Sequence, residues 1–162
     1  MKKFLAVLVL ALCSILPLSA QRYTNQQQNF AITLPGPAHE DTSNTPVFIV
    51  SGYDPQSYVG AMVIVSNNKV KVPTSQDEWN NLRDNTTPSN VTFKECRYPT
   101  WNGDSTIVCT FSAVNDRGVR LSGFYWADVH NGYLYVIMAE SSDGSGNDDV
   151  PSKILNSFQF LK

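Results

Sequence analysis

Histidine occurs only twice in these 162 residues, at His39 and His130, and neither belongs to a cluster of His, Cys and carboxylate at ligand spacing. Zinc chemistry of the motif-bearing kind is thereby excluded, because such sites gather their ligands at short fixed intervals. Charge is scarce too: Asp, Glu, Lys and Arg make up 16% of the chain, against roughly 25% in an average protein. There is no run of like charge, so there is no polybasic patch for a membrane surface. A G-x-S-x-G nucleophile elbow is missing; Gly144-Ser145-Gly146 is too short and lies among turn formers. No apolar run reaches the roughly 20 residues that a spanning helix needs.

What is present begins with Lys2 and Lys3, an apolar stretch from Phe4 through Leu16, and the small residues Ser19 and Ala20. A basic start, a short apolar core and a small-residue end make a secretory signal. Cleavage after Ala20 is expected to leave residues 21–162 as one exported domain, periplasmic or extracellular, with no transmembrane span. Cys13 leaves with the signal, because Leu12 stands where bacterial lipidation wants a small residue. Loss of Lys2 and Lys3 reduces the basic count from 12 to 10 against 14 acids, a net charge of −4. Nucleic acid, which wants a basic face, is not the expected partner.

Cys96 and Cys109 remain, and an even pair in an exported chain predicts a disulfide. Hairpin register gives the same answer. A two-residue turn at Asn102-Gly103 pairs residues whose numbers sum to 205, as 96 and 109 do. Counting outward places the cysteines at a non-hydrogen-bonded pair, with Cα atoms about 4.5 Å apart, within disulfide reach. Pro99 opposes Thr106 at a hydrogen-bonded position with no N–H to give, which predicts a wider turn or a bulge.

Elsewhere, alternation over Phe30–Leu34 predicts a strand stopped by Pro35-Gly36-Pro37. The polar residues from Ala38 to Thr45 read as a loop. Val47–Tyr53 and Tyr58–Val65 read as strands around the Asp54–Ser57 turn. Ser75 and Glu78 form a capping box for a helix from Gln76 toward Asn85, with Trp79 and Leu82 on one face. From Val91 to Glu140 the pattern is a four-strand meander, its last turn at Asn131-Gly132 pairing residues that sum to 263. A second helix starts near Pro151, capped by Asp148 or Asp149, with Ile154, Leu155 and Phe158 inward. Phe158-Gln159-Phe160 then turns to a short strand. The fold class is α+β: an antiparallel sheet with two helices packed on it.

The start Phe30-Ala31-Ile32-Thr33-Leu34-Pro35-Gly36, the central sheet and the end Ile154-Leu155-Asn156-Ser157-Phe158-Gln159-Phe160 resemble PsbP-like exported bacterial domains. The resemblance spans nearly all of the chain after residue 20. It implies a scaffold that binds other proteins or apolar ligands, with no common catalytic set and no functional residue to carry over. The Cys96–Cys109 pair is no part of that pattern.

Strand parity puts Phe124, Trp126, Tyr135 and Ile137 on one face of the meander and Tyr125, Ala127, Val129, Leu134, Val136 and Met138 on the other. Both faces are apolar, which is unusual for a sheet open to water. Either a helix covers each face, or one face is partly open and binds something apolar; Phe124, Trp126 and Tyr135 are then the ligand-binding candidates. The oxygen-bearing run through Asp143, Asn147 and Asp149 is a calcium candidate. It lacks the Gly and Glu of an EF-hand loop, and its acids also suit a helix N-terminus. No cofactor is implied. The expected function is a non-enzymatic binding or protein-interaction domain; the alternatives are a small secreted hydrolase, favoured by a titratable pair in a cleft, or a structural accessory of the cell envelope.

Overall fold

A computed structural model describes residues 20–43, 46–101, 104–142 and 149–162. The expected signal segment up to Ser19, the Asn102-Gly103 turn and the candidates Asp143 and Asn147 lie outside the described residues.

The chain runs β1 (Ala20–Asn25), β2 (Phe30–Pro35), β3 (Ala38–Asp41), β4 (Val47–Asp54), β5 (Val59–Ser66), α1 (Gln76–Thr86) and β6 (Val91–Arg97). It continues with β7 (Thr100–Trp101), β8 (Asp104–Ser105), β9 (Ile107–Val114), β10 (Arg120–His130), β11 (Tyr133–Ser142), α2 (Val150–Asn156) and β12 (Gln159–Phe160). Seven strands form one antiparallel sheet in the order β3-β4-β5-β11-β10-β9-β6, and β1-β2-β12 form a second of three. The α+β architecture is as expected, with the small sheet as an added layer. Among the described residues no helix is long and apolar enough to cross a membrane.

The meander has the predicted register. His130 faces Tyr133, Asp128 faces Tyr135 and Trp126 faces Ile137 across a turn in which Asn131 (φ 53°) and Gly132 (φ 85°) are both left-handed. That is the conformation an Asn-Gly hairpin turn demands. Cys96 pairs with Cys109, and the two are joined in a disulfide with Cα atoms 4.1 Å apart. The Pro99 conflict is met by interruption: β6 ends at Arg97, and Thr106 donates to the Pro99 carbonyl from both N (2.9 Å) and Oγ1 (3.1 Å). The bulge sits beyond the disulfide, between Phe93 and Glu95.

Two local expectations change, and one strand lies where none was assigned. Ala38–Asp41, read as a loop, pairs with β4 as a short polar edge strand, supplied by its partner rather than by its own propensity. Ala20–Asn25 likewise forms β1 against β2. The α1 cap is also rearranged. Ser75 Oγ accepts from the Glu78 N–H (3.2 Å), but the Glu78 carboxylate turns to Thr74, accepting from its N (2.6 Å) and Oγ1 (3.0 Å).

The large sheet has an apolar cluster on each face. On one, Phe48, Val50, Val63, Trp126, Tyr135 and Ile137 pack against Phe30, Ile32 and Leu34 of β2 and against Ile154 and Phe158. Gly52 permits the crossing of β2, because a Cβ there would stand 2.8 Å from Leu34 Cβ. On the other, Tyr125, Ala127, Val129, Leu134 and Val136 lie with Ile107, Cys109 and Trp79.

Candidate functional site

Of the aromatic candidates, Trp126 and Tyr135 are 5% and 4% exposed. Trp126 packs edge-on to Trp101 at 5.0 Å and against Phe158 at 5.3 Å, so β7 and the residue just after the α2 C-cap close over it. The Tyr135 hydroxyl donates to the Gln28 carbonyl (3.0 Å), and burial raises its pKa. Phe124 lies apart from them, half-buried beside Pro151 and Lys94 at a shallow 180 Å³ hollow. The structure therefore brings Trp126 and Tyr135 together inside the core and leaves Phe124 at its edge.

The opposite face is covered less completely. Helix α1 spans only 11 residues, about 16 Å. It is held to the β6–β9–β10 side: the Thr86 and Tyr125 hydroxyls share a 2.9 Å hydrogen bond, Tyr98 OH donates to Asn80 Oδ1 (2.8 Å), and the Arg83 guanidinium sits 4.5 Å over Phe93. Beyond Thr86 the chain leaves the sheet through Thr87-Pro88, since the residue before proline is disfavoured in a helix. The far end of β4, β5 and β11 is left as a cleft of about 370 Å³, bounded by Pro88, Asn90 and Val91 on one side and Asn115 and Asp116 on the other. Its floor and walls include Met62, Met138, Leu121 and Ala113, and Tyr53, 47% exposed, stands at the rim. That volume is near the small end of ligand sites.

Glu140 is the ionisable group set deepest in this cleft. It lies in register with Gly60 on β5 and Gly123 on β10, so its carboxyl rests between two residues without side chains. A Cβ on Gly60 would stand 3.3 Å from Glu140 Oε1. No hydrogen bond or ion pair joins this carboxyl to a described residue, and burial holds its pKa above the ordinary carboxylate value. The cleft can thus receive an apolar body and offer one polar contact, a carboxyl whose pKa burial raises. Sequence reasoning overlooked Glu140, although the sum of 263 already paired it with Gly123.

A second acid is unusual. Asp128 is 2% exposed, its Oδ1 has no hydrogen-bond partner, and its pKa is pushed up to about 6 by burial and by the neighbouring Asp104 carboxylate. Asp128 itself is buried, whereas Asp104 is part of β8 and half-exposed. Cys96 and Cys109 are spent on the disulfide, and His130 stacks on Phe160 at 3.8 Å. Asp149, the calcium candidate within the described residues, precedes α2 without capping it through its side chain. It is ion-paired with Lys153, whose ammonium holds its pKa below the ordinary value. Among the described residues no three His, Cys, Asp or Glu gather as a metal site.

No family model matches this chain, and no curated protein matches its sequence. Solved structures do match in fold. The cyanobacterial PsbP (CyanoP) of Synechocystis is 12% identical with a TM-score of 0.59, over 91% of this chain and 96% of that one. A Bacteroides thetaiotaomicron protein is 10% identical with a TM-score of 0.50, over 90% of this chain and 50% of that one. The Ran-binding protein Mog1p of Saccharomyces cerevisiae is 6% identical with a TM-score of 0.51, over 90% and 97%. The fold is PsbP-like, as the terminal motifs imply.

Proposed function

We propose that residues 21–162 form an exported, non-catalytic binding domain whose ligand site is the Glu140 cleft. The observation that carries this reading is the uncovered end of the sheet: Met62, Met138 and Leu121 around one carboxyl set between Gly60 and Gly123. An apolar small molecule, or an apolar side chain of a partner protein, fits that combination. A fold neighbour named for binding another protein, Mog1p, supports the class of function. The disulfide supports an oxidising compartment, and so export after a signal cleaved behind Ala20. Cleavage there leaves all but the first residue of β1 in place.

Two measurements test it. Intact mass of the exported protein should correspond to a chain beginning at Gln21; retention of the leading residues, or lipid on Cys13, refutes the processing. For the cleft, a neutral apolar dye such as Nile red should bind saturably and brighten. Gly60→Val, which fills the space beside Glu140, should abolish the signal while the melting curve stays cooperative. Dye binding indifferent to Gly60→Val places the apolar site elsewhere.

A further inference from the structure

The end of the fold that carries the β1–β2 and β10–β11 turns bears a groove of different chemistry. Two hollows of about 330 and 220 Å³ share Gln27, Gln28 and Asn67 and so form one continuous surface. Asn29 and Asn131 join them at one end. The side chains of these five residues make no hydrogen bond to a described residue. Gln28 and Asn29 are nonetheless half-buried.

The backbone beneath them is pinned. Asn25 Oδ1 accepts from the Gln28 N–H (2.9 Å), Leu161 N donates to the Asn29 carbonyl (3.1 Å), and Tyr135 OH donates to the Gln28 carbonyl (3.0 Å). Asn67 N donates to the Pro46 carbonyl (2.7 Å), and Val70 N to the Gly132 carbonyl (2.7 Å). A fixed frame with unengaged polar groups lowers the ordering cost of binding.

We infer that this groove binds a neutral saccharide. Each free carboxamide offers two donors and one acceptor without formal charge, matching hydroxyls that both donate and accept. Among the described residues no lysine or arginine lines the groove, so phosphate and other anions lack a counter-charge there. Glu40, the carboxylate among its described lining residues, already accepts a 2.6 Å hydrogen bond from Tyr23 OH. The half-buried Tyr133 ring supplies an apolar wall for sugar C–H groups.

Asn29 and Asn131 make the test clean. Both have left-handed backbones, φ 60° and 53°, which glycine adopts freely. Asn29→Gly with Asn131→Gly therefore keeps both turns and deletes two carboxamides. Isotope-labelled, disulfide-bonded protein is titrated with maltotriose, cellotriose, xylotriose and chitotriose, following side-chain amide resonances by NMR. At least one trisaccharide should shift the five carboxamide signals saturably. The double variant should bind it about tenfold more weakly, a difference of about 1.4 kcal/mol. Gly60→Val, in the other cleft, should leave that affinity unchanged, which separates this site from the apolar one. The inference is overturned if no trisaccharide gives saturable shifts, if inorganic phosphate or glycerol shifts the same signals equally, or if the double variant binds as the parent does.

Discussion

Replacing Asp128 by Asn should stabilise the protein at neutral pH and do almost nothing for it in acid. Asp128 lies beneath the β7–β8 hairpin with one oxygen unpartnered and Asp104 beside it, and its pKa rises from 3.8 to about 6. The native state therefore holds this proton more tightly than the unfolded chain does. Its favourable contribution is complete below about pH 4 and is lost as pH rises through about 6. At about 1.4 kcal/mol per pH unit, a rise of that size corresponds to roughly 3 kcal/mol. The residue sits under a thin two-strand flap rather than in the deep core, and solvent screening reduces the figure to about 1–2 kcal/mol. Asn keeps the shape, cannot ionise, and can donate toward Asp104. Urea melts of parent and Asp128→Asn at about pH 4 and about pH 7.5 measure the difference directly. The half-buried Glu140 carboxyl gives a slope of the same sign, but it is common to both proteins and cancels. A variant destabilised equally at both pH values would refute the reasoning, since the carboxylate would then be engaged in a favourable contact at neutral pH.

Two further predictions concern the core. Cys96→Ser should lower stability by about 3 kcal/mol, the loop-entropy value for a 13-residue separation, and should leave Cys109 reactive to a thiol label once unfolded. Two free thiols in unreduced, unfolded parent protein would contradict the pairing. Trp126→Ala removes a ring packed between Trp101 and Phe158 and should cost about 3–5 kcal/mol in a denaturant melt. A mutant as stable as the parent would mean that this face is not the core it is described as.

The legible parts of the fold were those governed by local chemistry. Asn131-Gly132 set the β10–β11 register residue by residue, and the same arithmetic around Asn102-Gly103 matched Cys96 to Cys109. Ser75 marked the start of α1, and Pro151 that of α2. The strands that escaped notice have no pattern of their own. Ala-Gln-Arg-Tyr-Thr-Asn in β1 and Ala-His-Glu-Asp in β3 are polar, mostly exposed edge strands, made by their partners β2 and β4. Polar edge strands also discourage further strand addition, so their unremarkable composition is itself useful. The site was legible only in part. An apolar second face was expected from parity, but the short reach of α1 over it is a tertiary fact.

The two faces differ because their covers differ in size. Where β2, β12 and α2 lie over the sheet, Trp126 and Tyr135 are sealed, and aromatic bulk that looked like a binding surface is spent on stability. Where α1 alone lies, its 11 residues reach only one side, and everything past Thr86 must be closed by loops or left open. The residues at that open end are consistent with a kept opening. Gly60 and Gly123 flank Glu140 with no side chains of their own, and Met62 and Met138 supply adaptable apolar walls. Gly123 has a packing reason, since a Cβ there would lie 2.1 Å from the Ala139 carbonyl oxygen. Gly60 meets nothing so rigid: the nearest contacts of its Cβ would be the movable Glu140 carboxyl and the Tyr53 ring. A glycine in mid-strand weakens the strand, and here the space it leaves is the depth of the cleft. Gly60→Ala should accordingly leave the fold intact, or strengthen it slightly, while making the cleft shallower; a cooperative melt with weakened dye binding is the expected pair of results. A large loss of stability would mean that the backbone, rather than the cleft, requires glycine at this position.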